Sequence, residues 1–326
     1  MPTPLREGLL APRLQYRMCR PVRSAGPVAS DAHPSSKLPV TPFHCTCLSV
    51  VIPVYNEAAT IRTTVERVRS IPISTEIICV DDGSTDGTRE VLTRLHAERA
   101  IDVLVFHGQN SGKGAALTTG FGRATGEIVA IQDADLEYSP HDLPKLIEPI
   151  LDGRADAVFG SRFLGGPHRV LYFWHRLGNG LLTLASNMFT NLNLTDMETG
   201  YKVVRTDLLR SLPLRAKRFG IEPELTARLA QAGARIYEVP ISYSGRTYAE
   251  GKKIGWKDGV AAVWHIFRAN LLPPRAGRYV APLEAGSAEE GVGPVGILAV
   301  PSEGQGWEPR AVSPEAVVSS RDGSPR

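Results

Sequence analysis

Short apolar runs alternate with amphipathic stretches between about residues 48 and 270. Residues 48–54, 76–80, 101–106, 127–131 and 155–160 are rich in Val, Ile and Leu and read as strands. Helical patterns occupy 58–69, 88–98 and 114–124, and another helix begins at Ser139-Pro140, with Ser139 as N-cap and Pro140 in the first turn. Near-continuous apolar strands that alternate with helices predict an α/β fold with a mainly parallel sheet, flanked by helices. No internal repeat interrupts the pattern.

In such sheets ligands gather beyond the carboxyl ends of the strands, and the polar signals fall there. The first strand leads to Tyr55-Asn56-Glu57, the second to Asp81-Asp82-Gly83-Ser84-Thr85-Asp86-Gly87, and the third to Asn110-Ser111-Gly112-Lys113-Gly114. The fourth stops in Asp133-Ala134-Asp135. Residues i and i+2 of an extended chain point the same way, so both carboxylates can face one cation. Hard divalent ions take oxygen ligands and bridge to phosphates. Two adjacent acids at Asp81-Asp82 suit donors on a base or ribose, although Asp, Gly and Ser also suit a plain turn. Around Lys113, glycines would let backbone N–H groups approach a phosphate. The spacing is not that of a Walker loop, and the Gly120, Gly122 and Gly126 series lacks the context of a dinucleotide site. Together the four crests describe a nucleotide site.

Composition adds boundaries. The chain has 326 residues, 42% hydrophobic, and a formal charge of +3, too small to argue for nucleic acid. Residues 1–47 and 271–326 are rich in Pro, Gly and Ser without sustained periodicity, so both are expected to be disordered tails around a domain spanning 48–270. No apolar run approaches the roughly 20 residues needed to span a bilayer. Cys45 and Cys47 are too few for a zinc knuckle without further ligands, Cys79 sits in a strand-like run, and with Cys19 all four read as free thiols.

The ordered set of motifs resembles the family 2 glycosyltransferases of the GT-A, Rossmann-like fold. Within them the chain is similar to the dolichol- and polyprenyl-phosphate mannosyltransferases and glucosyltransferases, over about residues 48–258. The resemblance implies a nucleoside pocket lined by Pro53, Tyr55 and Glu57, with Asp82 on the base or ribose and Lys113 near the donor. It implies that Asp133 and Asp135 hold Mg²⁺ or Mn²⁺ against the diphosphate. Where mannosyltransferases often carry a Gln that joins the metal, this chain has Glu137. Gly160-Ser161-Arg162 matches the family segment whose Arg contacts the acceptor phosphate. Asp196 to Lys202 resembles a further family segment, and residues 240–255 resemble the loop that closes over both substrates, with Arg246 and Lys252 as its cations.

The implied reaction moves a hexose, mannose from GDP-mannose ahead of glucose from UDP-glucose, to a polyprenyl phosphate with inversion. A phosphate acceptor is already anionic and needs cations rather than a general base; Arg162, Arg246 and Lys252 supply them. A hydroxyl acceptor would need a carboxylate base, and Glu222 or Glu224 would serve, though acids also suit the start of a helix. A non-catalytic nucleotide-sugar-binding protein is the third reading. Two aromatic, apolar stretches, 169–189 and 256–272, are either core helices or amphipathic helices at a membrane surface. The resulting expectation is a cytoplasmic protein, peripheral on the cytoplasmic face of the membrane.

Overall fold

The computed structural model describes residues 48–165, 169–170, 172–246 and 256–281. Its elements run β1 (Leu48–Val54), α1 (Ile61–Arg69), β2 (Thr75–Asp81), α2 (Thr88–Ala97), β3 (Val103–Phe106), α3 (Lys113–Phe121) and β4 (Ile128–Ile131). They continue with α4 (Leu143–Leu151), β5 (Ala157–Ser161), α5 (Phe173–Thr190), β6 (Lys202–Arg205), α6 (Thr206–Ser211), α7 (Ile221–Gln231), β7 (Ile236–Pro240) and α8 (Trp256–Leu271). The strands form one seven-stranded sheet in the order β3-β2-β1-β4-β6-β5-β7. Pairings are parallel except that β6 runs against both β4 and β5.

Period-2 alternation in β1 explains the layers. Val50 and Ile52 pack with Ile61, Val65 and Val68 of α1 and with Leu92, Leu143 and Leu146 on one face. Val51, between them, packs on the other face with Leu117 and Phe121 of α3 and Leu225 and Leu229 of α7. Cys79 of β2 is a buried free thiol, and burial pushes its pKa up. The expected mainly parallel α/β sheet is therefore present, with helices on both faces.

Local details differ from the sequence reading. Ser139 makes no side-chain cap; a 3₁₀ turn at Pro140–Asp142 precedes α4. Asp142 instead accepts the Ser242 N–H at 2.8 Å and pairs with Lys145 at 2.6 Å. Strands β6 and β7 go beyond the strands that the apolar runs predict. The packed body also continues past residue 270. Tyr279 donates its N–H to the Ala232 carbonyl at 2.8 Å and its hydroxyl to Asp207 at 2.9 Å. Of the expected tails, 1–47 and 271–326, residues 1–47 and 282–326 lie outside the described residues, as do Cys19, Cys45 and Cys47.

Candidate active site

The parallel half of the sheet sets β1, β2 and β4 side by side, so their carboxyl ends share one edge. Hydrogen bonds stitch the first two crests together. The Asn56 N–H donates to Ser84 Oγ at 2.9 Å, the Thr85 N–H to Asn56 Oδ1 at 2.9 Å, and the Glu57 N–H to Thr88 Oγ1 at 3.0 Å. Pro53 is half-buried, and Tyr55, just past β1, is exposed.

Beyond β4 the chain turns sharply. Leu136 has φ 64°, the left-handed region that side chains rarely adopt. This turn brings the Glu137 N–H back to Asp135 Oδ1 at 3.2 Å. Asp133, Asp135 and Glu137 are all half-buried, yet their circumstances differ. Asp133 pairs with Lys113 at 2.8 Å, and Lys113 also pairs with Glu222 at 3.0 Å. Burial opposes the Lys113 charge, but these two carboxylates outweigh it and hold its pKa well above the usual value. Asp135 has no such partner among the described residues. Burial, then the negative charges of Asp133 and Glu137, push its pKa up to about 7.

Glu137 is occupied. Its Oε2 accepts the Tyr243 hydroxyl at 2.8 Å and its Oε1 the Arg246 N–H at 2.8 Å. It therefore anchors the segment after β7, and among the described residues no group of three acids, Cys or His stands ready to hold a metal. The test of fit to a divalent ion thus rests on Asp135 and Asp133. Burial and two neighbouring acids disfavour the Asp135 charge, and a divalent cation there would offset all three. In the layer beneath, the oxygens Gln132 Oε1, Glu198 Oε1 and Glu222 Oε2 are buried without a donor. The residues fit a cation, on condition that Asp133 shares its charge with Lys113.

Two sequence expectations change. The glycines around Lys113 do not present N–H groups to an open cradle. Gly112, at φ 97°, lies so close to the 217–218 backbone that a Cβ would sit 2.4 Å from Lys217 O. The loop N–H groups of Ser111 and Gly112 donate to Asp82 at 3.0 and 2.6 Å. Asp82 also bonds His107 Nδ1 at 2.8 Å and is 2% exposed. Asp82 thus holds the loop, and its carboxylate does not stand open to a base or ribose. Lys113 is at the site as expected, but its charge is spent on two carboxylates.

The expected cations are also paired. Arg162 makes a two-pronged bond to Asp196, both at 2.7 Å, and donates to Asn179 at 3.1 Å. Its guanidinium lies 5.2 Å from the Tyr243 ring centre. Arg246 reaches across the cleft to Glu57 at 3.0 and 3.2 Å and to the Asp135 carbonyl at 2.6 and 3.0 Å. The structure thus joins Glu57, Asp135, Glu137 and Arg246 from three distant stretches of chain. Lys252 lies outside the described residues. Glu224 accepts the N–H groups of Arg215 and Ala216 at 2.8 and 2.6 Å, on a different side of α7 from the Glu222–Lys113 pair.

Sequence reasoning missed the buried layer under the acids. Tyr138 stacks on Tyr201 at 5.1 Å, and its hydroxyl accepts the Gly200 N–H at 3.1 Å. A Cβ at Gly200 would lie 2.6 Å from Asp133 Oδ2 and 3.0 Å from Lys113 Nζ, so a larger residue there would push on the Asp133–Lys113 pair. Lys202 donates to the Met197 carbonyl at 2.9 Å and to the Thr199 carbonyl. Burial lowers the Lys202 pKa to about 8, while burial and the Glu222 charge raise that of Glu198 to about 7. The available signals were the family resemblance of Asp196 to Lys202 and the charged residues in an otherwise apolar strand and the turn before it.

A sequence model of the family described as Glycosyl transferase family 2 matches residues 49–212, which carry all four crests and the Arg162–Asp196 pair. The chain belongs to glycosyl transferase family 2. It is 33% identical over 240 residues to the undecaprenyl-phosphate mannosyltransferase of Micrococcus luteus, covering 68% of this chain and 97% of that protein. It is 31% identical over 217 residues to the polyprenol monophosphomannose synthase of Mycolicibacterium smegmatis, covering 63% of this chain and 80% of that protein. Among solved structures, glucosyl-3-phosphoglycerate synthase from Mycobacterium tuberculosis with Mn²⁺, UDP and glucosyl-3-phosphoglycerate superposes at TM-score 0.55. That match covers 70% of this chain and 81% of the other at 23% identity, which establishes the shared GT-A-type fold. The family 2 chain is therefore a glycosyltransferase, and these two relatives are named for mannosyl transfer to undecaprenyl phosphate and for polyprenol monophosphomannose synthesis.

Proposed function

We propose that this family 2 chain transfers a hexose, mannose from GDP-mannose, to a polyprenyl phosphate with inversion at the anomeric carbon. The observation that carries the reading is Asp135, a half-buried acid at the donor edge whose pKa stays raised by burial and by Asp133 and Glu137, the Arg246 charge offsetting only part of that. Asp133 and Asp135 would hold the Mg²⁺ or Mn²⁺, which supplies positive charge against the departing diphosphate.

An oxygen of the acceptor phosphate attacks the anomeric carbon while the bond to the nucleotide diphosphate breaks; the electron pair leaves with the diphosphate. No proton need be removed from the nucleophile. The chain's part is to hold two anions together and in line. Arg246 is suited to this, because its fork now grips Glu57, a carboxylate that a phosphate oxygen pair can replace. Arg162 stays with Asp196 and shapes the wall beside Tyr243. Lys113 keeps Asp133 oriented from below.

The helix α5 supports a lipid acceptor. Its fully buried residues are the polar Thr183 and Ser186. Trp174 and Met188 are 74% and 77% exposed, and Phe173, Leu181 and Leu184 also face outward. A core helix would show the reverse arrangement, so of the two sequence readings the amphipathic surface helix fits. No helix among the described residues is long and apolar enough to cross a membrane. We infer peripheral docking on the cytoplasmic face through α5 and α8.

The test is a panel of labelled nucleotide sugars incubated with polyprenyl phosphate in vesicles, then extracted with chloroform and methanol. Label from GDP-mannose should enter the lipid phase. Transfer only to a soluble hydroxyl acceptor would refute the reading.

A further inference from the structure

Across α7 from the acids lies a second charged recess, unused by the reaction above. Arg215, Arg228, His265 and Arg268 line it together with one acid, Glu224. Glu224 is largely committed, since its Oε2 accepts two backbone N–H groups and its Oε1 stands 3.5 Å from Arg228. Arg228 is 2% exposed and fixed to the Ala269 carbonyl at 2.9 Å and Gln231 at 2.8 Å. Its Nε is buried without a partner. Arg215 and Arg268 are exposed, and among the described residues no acid pairs with either. Burial lowers the Arg228 pKa, and the charges of Arg215 and Arg268 add to that against Glu224. Burial and the Arg268 charge likewise lower His265. Three arginines therefore line one recess that holds a single carboxylate, an excess of positive charge that an anion would relieve.

The position of the recess says which anion. At 100° per residue, Val263, Trp264, Phe267 and Leu271 form an exposed apolar stripe on α8, while Ala262, Ile266 and Ala269 face the core. His265 and Arg268 fall on the border between the two. Phe267 meets Phe189 of α5 at 6.3 Å, which continues the stripe onto the neighbouring helix. A bilayer seated on that stripe would bring its phosphate layer level with Arg268.

We propose that this recess between α7 and α8 binds the phosphate of an anionic phospholipid and so fixes how the protein sits on the membrane. The proposal rests on the peripheral docking inferred above, and the test separates the two. Full-length protein is sedimented with phosphatidylcholine vesicles, with and without phosphatidylglycerol. The variant Arg215→Gln/Arg268→Gln should lose the preference for phosphatidylglycerol, about thirtyfold at roughly one decade and a half for two basic groups near a charged surface. Binding to phosphatidylcholine alone should not change. The control Lys217→Gln/Arg218→Gln removes equal charge from exposed residues beside the recess but outside its lining, and should lose less than about threefold.

Equal losses in the two variants would mean diffuse attraction and overturn the site, as would a preference unchanged in the first variant. Inorganic phosphate that raises the melting midpoint of the wild type alone, with lipid preference unaltered in both variants, would assign the recess to a free anion and overturn the lipid. Failure of the wild type to bind any vesicle would sink peripheral docking itself, and the recess proposal with it.

Discussion

Arg162 and Arg246 are held in opposite ways, and the contrast shows which side of the cleft is fixed and which can exchange partners. Arg162 follows β5 and is locked to Asp196, whose side chain is fully buried, in a fork braced by Asn179. Arg246 follows β7, at the last described residue before 247–255, and reaches to Glu57 on the donor edge. A pair whose carboxylate is fully buried resists separation, because that acid has no water to turn to; in a pair spanning a cleft between two segments the partner can be replaced by another anion. The first is part of the wall, and the second is the cation available to a substrate phosphate.

The largest effect on turnover should come from the donor edge. Asp135→Ala should cut transfer by at least about 10²–10³-fold, the scale for loss of one preorganised charge partner, with an unchanged far-ultraviolet spectrum. Next, Arg246→Ala should lower transfer by about 10²-fold while unfolding in urea shows the smaller loss, about 1–3 kcal/mol, because Glu57 can turn toward the cleft. Arg162→Ala should do the reverse, destabilising the fold by about 3–5 kcal/mol because Asp196 is left buried and unpaired. Equal stability losses for the two arginines would break the contrast. The smallest effect belongs to Glu222→Gln. Tied to Lys113, it is not poised as a base, and steady-state rates should fall less than about tenfold; a loss of about 10²–10⁴-fold would restore a hydroxyl acceptor.

The same contrast explains what could be read in advance. The strand-end crests were legible because they depend on local order: an apolar run such as β1, followed by polar residues, puts Glu57 at an edge whatever it later touches. Asp133 and Asp135 were legible for the same reason. The partners were not. Asp82 reads as a ligand contact until the 111–112 N–H groups are seen to close on it. Gly112 reads as a phosphate loop until the 217–218 backbone is found against it. Strand β6 is four residues long and runs antiparallel, so neither its length nor the alternation around it announces it. Each of these depends on contacts across long stretches of chain, which no local pattern encodes.

Asp135 also carries a pH signature. Its folded pKa, about 7, lies above the ordinary carboxylate value near 4. Stability from this group in the metal-free protein is therefore present below that ordinary value and is lost as pH rises through about 7. Cation binding has the opposite slope, because the proton must leave first. Mn²⁺ binding followed by electron paramagnetic resonance on the full chain with GDP tests the central claim most directly. Affinity should climb about tenfold per pH unit below about 7, level off above it, and vanish in Asp135→Asn. A flat pH profile, with Asp135→Asn binding Mn²⁺ as tightly as the wild type, would contradict the account.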